Sequence, residues 1–436
     1  MESPDDGDDG TVYDVFGIGF GPSNLALAIA LREHNESVAD GQRLSFRFVE
    51  RQPAFAWHRN MLLPGTTMQI SFLKDLATPR NPMSRFGFVP YLHERDRLAA
   101  FINHKTLFPS RHEFHDYLDW AAGPFEDVVS YGCEAVDVRA APTAGAWPAA
   151  DLLRITTARP DGAGRATWRA RNVVIATGLS PRLPDDVGSC DRVWHSEYLL
   201  DRLASLPLRE QPEFVVVGAG QSAAEVTEYL LRRFPAGRVH AVMSRYGYSP
   251  ADDSPFANEI FDAAAIETFF HAPDRVKQSL IDYHRNTNYS VVDIDLINTL
   301  YRYCYQDLVT GEVRLKLHRS SRVRELTSSA DAITVAIESE STGMTENVGA
   351  DAVVYASGYR QSDPMRMLDG LADLCELNAD GRPRVGLDYH LATSNAGDWR
   401  IYLQGITEHI HGLSSTLLSN VAVRAGHIVE SIAKSA

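Results

Sequence analysis

Apolar and polar positions along this chain fall into a rhythm that occurs twice. "YDVFGIG", residues 13 to 19, reads as a short buried strand, and "SNLALAIALREH" after it has the composition and spacing of a helix. Between them Gly19 and Gly21 make a turn, and Pro22 suits the first turn of the helix. The unit closes on "RLSFRFVERQ", a second strand that ends in Glu50. This is the pattern of a dinucleotide site: Gly19 permits the turn, Gly21 lets the backbone approach a diphosphate, and the helix N-terminus attracts the anion. Glu50, about thirty residues on, suits the hydroxyl pair of an unphosphorylated adenosine ribose. Asn24 stands where a third glycine is usual, and its amide predicts local hydrogen bonds within the turn.

About 200 residues later "EFVVVGAGQSAAEVTEYLL" repeats the device, with Gly218, Gly220 and then Ala223 in the third position. Two turns imply two nucleotides. The following strand, "RVHAVMSRYGYS", ends beside Arg245 and not beside an acid. That favours a 2′-phosphate and hence NADP, unless Arg245 is only an exposed arginine at a strand end. "NVVIATGLSPRLP" and "DAVVYASGYR" each join a buried-strand run to a small-residue turn, as a chain does where it crosses between two nucleotide domains. The expected fold is therefore α/β: two Rossmann-like dinucleotide-binding domains, one inserted in the other. Residues 11–205 and 351–436 form the outer domain and 206–350 the NADP-binding one. From about 255 to 310 the strand pattern gives way to "FANEIFDAAAIETFF" and "DRVKQSLIDYHR", which predict a small helical substrate subdomain.

Composition narrows the classes. With 436 residues, 44% of them apolar, the chain can bury a large core. Its 42 basic against 57 acidic residues leave a net charge of −15, which disfavours nucleic acid and anionic membrane surfaces as partners. Residues 1–10, "MESPDDGDDG", read as a disordered acidic tail without the features of a secretion signal, and no stretch is apolar over a membrane-spanning length. Cys133, Cys190, Cys304 and Cys375 are far apart in sequence, so neither a metal site nor a redox-active disulfide is readable, and a cytoplasmic setting fits.

Seven longer segments carry a more specific resemblance: "GFGPSNLALA", "WHRNMLLPGTTMQISFLKDLATPRNP", "FPSRHEFHDYLDWA", "GAGQSAAE", "DDSPFANEIF", "NTNYSVVD" and "HGLSSTLLSN". Over residues 11 to 430 the chain resembles the FAD- and NADPH-dependent N-hydroxylating monooxygenases of L-ornithine and L-lysine, the ornithine N5 branch more closely. The resemblance implies a homotetramer with FAD in the outer domain. Gly19, Gly21, Pro22, Ser23, Asn24 and Glu50 would hold FAD, Trp57 and His58 would pack by it, Gln69 would lie near its reactive edge, and Leu413 and Ser414 would run past its ring. Trp57 reads equally well as core. Gly218, Gly220, Gln221, Ser222 and Arg245 would hold NADPH. In many relatives an arginine directly follows the methionine at Met243, whereas here Ser244 intervenes.

For substrate, Lys74 would meet the amino-acid carboxylate, Asn258 and Asn288 would orient the zwitterion, and Ser415 or Thr416 would face it. No catalytic side chain and no metal are implied. NADPH would reduce the flavin, O2 would add to it as a C4a-hydroperoxide, and the neutral amine would take the distal oxygen to give N5-hydroxy-L-ornithine. By analogy such a product serves siderophore or peptide biosynthesis. Hydroxylation of L-lysine at N6 or of a diamine is the nearest alternative, and a flavoprotein NADPH reductase or redox sensor is the alternative of another class.

Overall fold

The computed structural model describes residues 10–435, apart from 142–151, 161, 163, 186, 188, 189, 285, 286, 288, 289, 330, 331, 395 and 396. The acidic start up to residue 9 and Asn288 thus lie outside the described residues. β1 (Val12–Ile18) is central to the first sheet, with β2 (Phe46–Glu50) on one side and β6 (Arg165–Ile175) on the other, both parallel to it. Only the second half of β1 is covered on both faces and apolar: Val15 to Ile18 are buried, whereas Val12, Tyr13 and Asp14 are half-exposed. β3 (Val129–Tyr131) extends the parallel part beyond β2. β6 has eleven residues, and beyond β1 it serves two further neighbours. Its first half pairs antiparallel with β5 (Leu152–Ala158), which continues to β4 (Glu134–Ala141), and its second half pairs parallel with β17 (Arg400–Leu403). The helix Pro22–Ser37 buries every residue from Asn24 to Leu31, because the sheet covers one side of it and the Val421–Ala433 helix another.

The second sheet is parallel throughout, in the order β11 (Leu315–His318), β10 (Arg238–Val242), β9 (Glu213–Val217), β15 (Ala352–Tyr355) and β8 (Val193–His195). An antiparallel sheet of β12 (Ser321–Ser328), β13 (Ile333–Ser339) and β14 (Thr345–Ala350) lies against it. The alternating Ile333, Val335 and Ile337 pack onto Val215, Val242 and Val353. Because β8 and β15 sit in this sheet, the chain crosses between lobes at β7 (Leu179–Pro181) and β16 (Tyr359–Gln361), which pair antiparallel. The expected boundaries near 205 and 351 therefore move to these two short strands. A three-residue strand such as β8 is too short for periodicity to assign it to a lobe.

The expected helical stretch is present as Pro255–Asn258, Ala263–His271, Asp274–Tyr283 and Ile294–Thr310. It joins the two lobes. Phe269 packs under Gly412 and the Asn420 carboxamide donates to the Phe261 carbonyl (2.6 Å), both on the first lobe, while Leu300 and Leu296 join the core of the second. Among the described residues no helix is long and apolar enough to cross a membrane.

His411, 1% exposed, stacks on Tyr389 with ring centres 4.1 Å apart, and burial, assisted by the positive charge of Arg424, pushes its pKa down to about 4. An unfolded histidine near 6.5 binds its proton more readily, so the folded state loses stability as pH falls from 6.5 towards 4. The expected loss is about 1.4 kcal/mol per pH unit for this one residue. His411→Gln should flatten the fall by that amount in urea unfolding at pH 7.5, 6.5 and 5.5, and identical slopes would show that His411 is protonated in the fold.

Candidate functional site

A cleft of about 2420 Å³ runs between the lobes and receives the first glycine turn and the head of the helix that follows the second. Single small-molecule pockets hold roughly 300–1,000 Å³, so this one has space for more than one large ligand. Gly19 has φ +82°, and a Cβ there would lie 2.5 Å from the Ala176 carbonyl oxygen. Only glycine permits this approach. Gly21 caps the Pro22–Ser37 helix and opens onto free space, and Gly21, Pro22 and Ser23 line the cleft. Asn24 does not reach it. Fully buried, its Nδ2 donates to the carbonyls of Gly19 (2.7 Å) and Ile18 (3.2 Å), and its Oδ1 accepts from Gln404 Nε2 (3.1 Å). The side chain that replaces the third glycine thus ties the turn to its strand, and the cofactor-contacting role expected of that side chain is corrected to a bracing one. Glu50 lines the cleft and accepts from the backbone N–H groups of Phe20 (2.7 Å) and Gln52 (2.9 Å), which hold its carboxylate in place.

The second turn repeats the first. Gly218 has φ +146°, and a Cβ there would lie 2.5 Å from the Ala356 carbonyl oxygen. Gln221 and Ser222 line the cleft, whereas Gly220 backs onto the Cα of Ser290. Arg245 is exposed and outside the cleft wall, and its Nη1 donates to the Ser290 carbonyl (3.0 Å). Its guanidinium therefore bears on the loop over the second turn.

Of the residues expected near substrate, Lys74, Asn258 and Thr416 line the cleft. Lys74 is not paired with its neighbour Asp75, whose carboxylate instead accepts from the N–H groups of Ala77, Thr78 and Phe88. The Lys74 ammonium has only a loose contact with Asp262, at 3.8 Å. Asn258 donates from Nδ2 to the Asp253 carbonyl (2.7 Å). Leu413, Ser414 and Ser415 are buried behind the wall, with the Ser415 hydroxyl accepting from Thr407 N (3.3 Å), and residues 416 to 419 face the cleft. The expected contacts of Leu413, Ser414 and Ser415 are corrected accordingly: in a short 3-10 turn, side-chain direction follows tertiary packing and not a local period.

Trp57, His58 and Gln69 line the cleft as well, and Trp57 also packs on Phe114 in the core. His58 is exposed to the cleft, and the surrounding protein, then the positive charges of Arg111 and His115, hold its pKa below the ordinary histidine value, so its imidazole is neutral near pH 7.

Two contacts were invisible in the sequence. Arg111, at the start of the Arg111–Ala122 helix, forks onto Glu225 of the Gln221–Arg233 helix at 2.7 and 2.8 Å, linking the lobes through a largely buried ion pair. Asp293 accepts from Gln69 (3.3 Å) and Gln221 (2.8 Å), and burial pushes its carboxyl up against those two donors.

The site fits two dinucleotides on its own features. The open space before Gly21 and the unpartnered hydroxyl of Thr177 on the cleft wall suit a first diphosphate, and the cleft-facing Gln221 and Ser222 at the head of the second helix suit another.

Residues 11–361 match the model of the L-lysine 6-monooxygenase/L-ornithine 5-monooxygenase family. An L-ornithine N(5)-monooxygenase of Burkholderia cepacia is 42% identical over 409 residues, covering 92% of this chain and 90% of its own. The ornithine N-hydroxylase of Kutzneria sp. 744, solved with reduced FAD, NADP+ and L-ornithine, superimposes with a TM-score of 0.91 at 44% identity, over 97% of this chain and 99% of that one. An L-lysine 6-monooxygenase of Pseudomonas syringae gives 0.83 at 31%, over 97% and 99%. The two turns, the shared cleft and this likeness over nearly the whole chain agree: the protein belongs to the L-lysine 6-monooxygenase/L-ornithine 5-monooxygenase family.

Proposed function

We propose that this chain hydroxylates the side-chain amine of L-ornithine to N5-hydroxy-L-ornithine, with FAD, NADPH and O2. The observation that carries this reading is that the first dinucleotide turn and the head of the helix after the second, at Gln221 and Ser222, open into one cleft together with Lys74, Asn258 and Thr416. FAD belongs to the lobe of Gly19, Gly21, Pro22, Ser23 and Glu50, and NADPH to the inserted lobe with Gln221 and Ser222. Bound FAD supplies the oxygen activation, chemistry that no side chain here offers.

The chain's own part is binding and enclosure. The Lys74 ammonium, loosely held by Asp262, is available to a substrate carboxylate. Asn258 keeps its Oδ1 acceptor for the α-ammonium while Nδ2 holds Asp253. A neutral His58 adds no positive charge beside a substrate amine that must lose its proton before it can react. Asp293 and its two glutamine partners bring the first lobe, the second turn and the helical stretch together at the cleft.

L-lysine differs by one methylene, a difference worth about 1–3 kcal/mol in a pocket. The ornithine enzymes above share more identity with this chain than the lysine enzyme does, which supports ornithine. A diamine has no carboxylate for Lys74. A thiol reductase would want a cysteine pair at redox spacing, and Cys133, Cys190, Cys304 and Cys375 are far apart in the sequence. Assembly as a homotetramer is part of the same proposal. It draws on the exposed Tyr301, Tyr305, Leu308 and Val309, which share one side of the Ile294–Thr310 helix.

Mass spectrometry after incubation with ornithine, lysine and putrescine together should find hydroxyornithine as the main product, and a dominant hydroxylysine would reassign the substrate. Light scattering should give four times the chain mass. Lys74→Ala should lower kcat/KM for ornithine about 10- to 100-fold, the range for a half-exposed ion pair, while NADPH oxidation continues and its oxygen appears as peroxide. Full hydroxylation at low ornithine would remove Lys74 from the site. Arg245→Ala should raise KM for NADPH and leave that for NADH nearly unchanged; equal shifts in both would show that the 2′-phosphate contact is elsewhere.

A further inference from the structure

Arg424 lies on the Val421–Ala433 helix and is 2% exposed. Its Nε donates to Gln404 Oε1 (3.1 Å), its Nη1 to the Ser415 carbonyl (2.7 Å) and its Nη2 to Ser23 Oγ (3.1 Å). All three acceptors are neutral. Among the described residues no carboxylate forms an ion pair with it, and the ionisable groups beside it are the Tyr389 phenol, whose ring centre is 6.0 Å away, and His411, which its charge helps to keep neutral. Buried charges are ordinarily paired, because leaving water without an opposite charge is costly. Arg111 and Arg80 follow that rule, on Glu225 and Glu33.

The guanidinium is also aimed at another positive field. Ser23 is in the first turn of the Pro22–Ser37 helix, where unpaired N–H groups point outward and no acidic side chain stands. Two positive ends converging on one buried spot call for an anion from outside the chain. Ser23 lines the cleft, and because its oxygen accepts from Arg424 its own proton is free to donate into the cleft.

We propose that Arg424 is the buried counter-charge to the diphosphate of the dinucleotide held at Gly19–Ser23, acting through the Ser23 hydroxyl. By gripping the Ser415 carbonyl with the same fork it also registers the adjoining Thr416 wall against that diphosphate. Arg424 is thus a positioning residue. The inference rests on FAD binding at this turn, and its test separates the two.

Full-length protein freed of cofactor is titrated with FAD, and with ADP as a probe that has the diphosphate but no flavin ring. Arg424→Met removes the charge at similar length. It should weaken both ligands about 10- to 100-fold, the effect of a unit charge one hydroxyl away. The cofactor-free Arg424→Met protein should melt no lower than the cofactor-free parent, since the uncompensated charge has gone. Arg424→Lys should recover most of the ADP affinity, and Ser23→Ala should lose about threefold to tenfold. A bracing arginine predicts the reverse pattern, with lower melting of the cofactor-free Arg424→Met protein and unchanged affinities, and that result overturns the proposal. Should Arg424→Met not fold, Ser23→Ala decides: weaker FAD and ADP binding sustains the proposal and unchanged binding overturns it. A parent protein that binds neither ligand would instead refute the FAD assignment itself.

Discussion

Everything at the cleft depends on a close approach of backbone to backbone, made twice. Gly19 turns within contact of Ala176, and Gly218 within contact of Ala356. A side chain at either position would collide with a carbonyl at 2.5 Å and push the turn away from the adjoining strand. Ala176 and Ala356 begin the two segments on which the chain crosses between lobes, just before the paired β7 and β16. Each turn is therefore held against a crossing, and the crossings are held against each other. The two diphosphate-binding ends face one cleft for this reason, and not through any contact between the turns themselves.

Much of this was legible because it is local. Strand, glycine turn and helix occupy some twenty consecutive residues, and each step has its own period or residue type. The crossing segments were legible for the same reason. The direction of Leu413, Ser414 and Ser415 was not, since a 3-10 turn of four residues has no repeating face. The Arg111–Glu225 pair joins positions 114 apart, and the Gln69–Asp293 contact joins positions 224 apart. No window on the sequence holds both partners. Arg424 is different, for it falls within the buried stripe of Val421, Ala425, Ile428 and Ile432. A charged residue inside an apolar helical stripe is a readable anomaly, and the pattern that defines the stripe also marks the exception.

The distribution of charge reconciles an acidic chain with anionic ligands. A net charge of −15 repels phosphates at long range. Around the cleft the balance is local: Lys74 on its wall is loosely paired, Arg424 buried behind the wall is charged without an acid, and a helix begins at each turn with no acidic residue in its first turn. Arg111 is compensated by Glu225, so its charge reaches the cleft chiefly through nearby groups such as His58 and Asp293. The cationic groups of the site thus divide into those already compensated within the chain, which hold architecture, and those left for ligands to compensate.

That division bears on how the two lobes move. A monooxygenase of this kind must bring two cofactors and an amine together and then release a product, so some freedom between lobes would be useful. The Arg111–Glu225 fork spans the lobes with both groups largely buried, and opening the lobes would leave two ions without partners. Gln221 reinforces it, donating to both Glu225 and Asp293 from the first turn of the same helix. The network costs most to break at the second dinucleotide turn itself. The helical stretch adds a second tie between the lobes, since Phe261 and Phe269 are held by Asn420 and Gly412 of the first lobe while Leu296 and Leu300 join the core of the second. The angle between the lobes is held by the buried pair and by this helical tie.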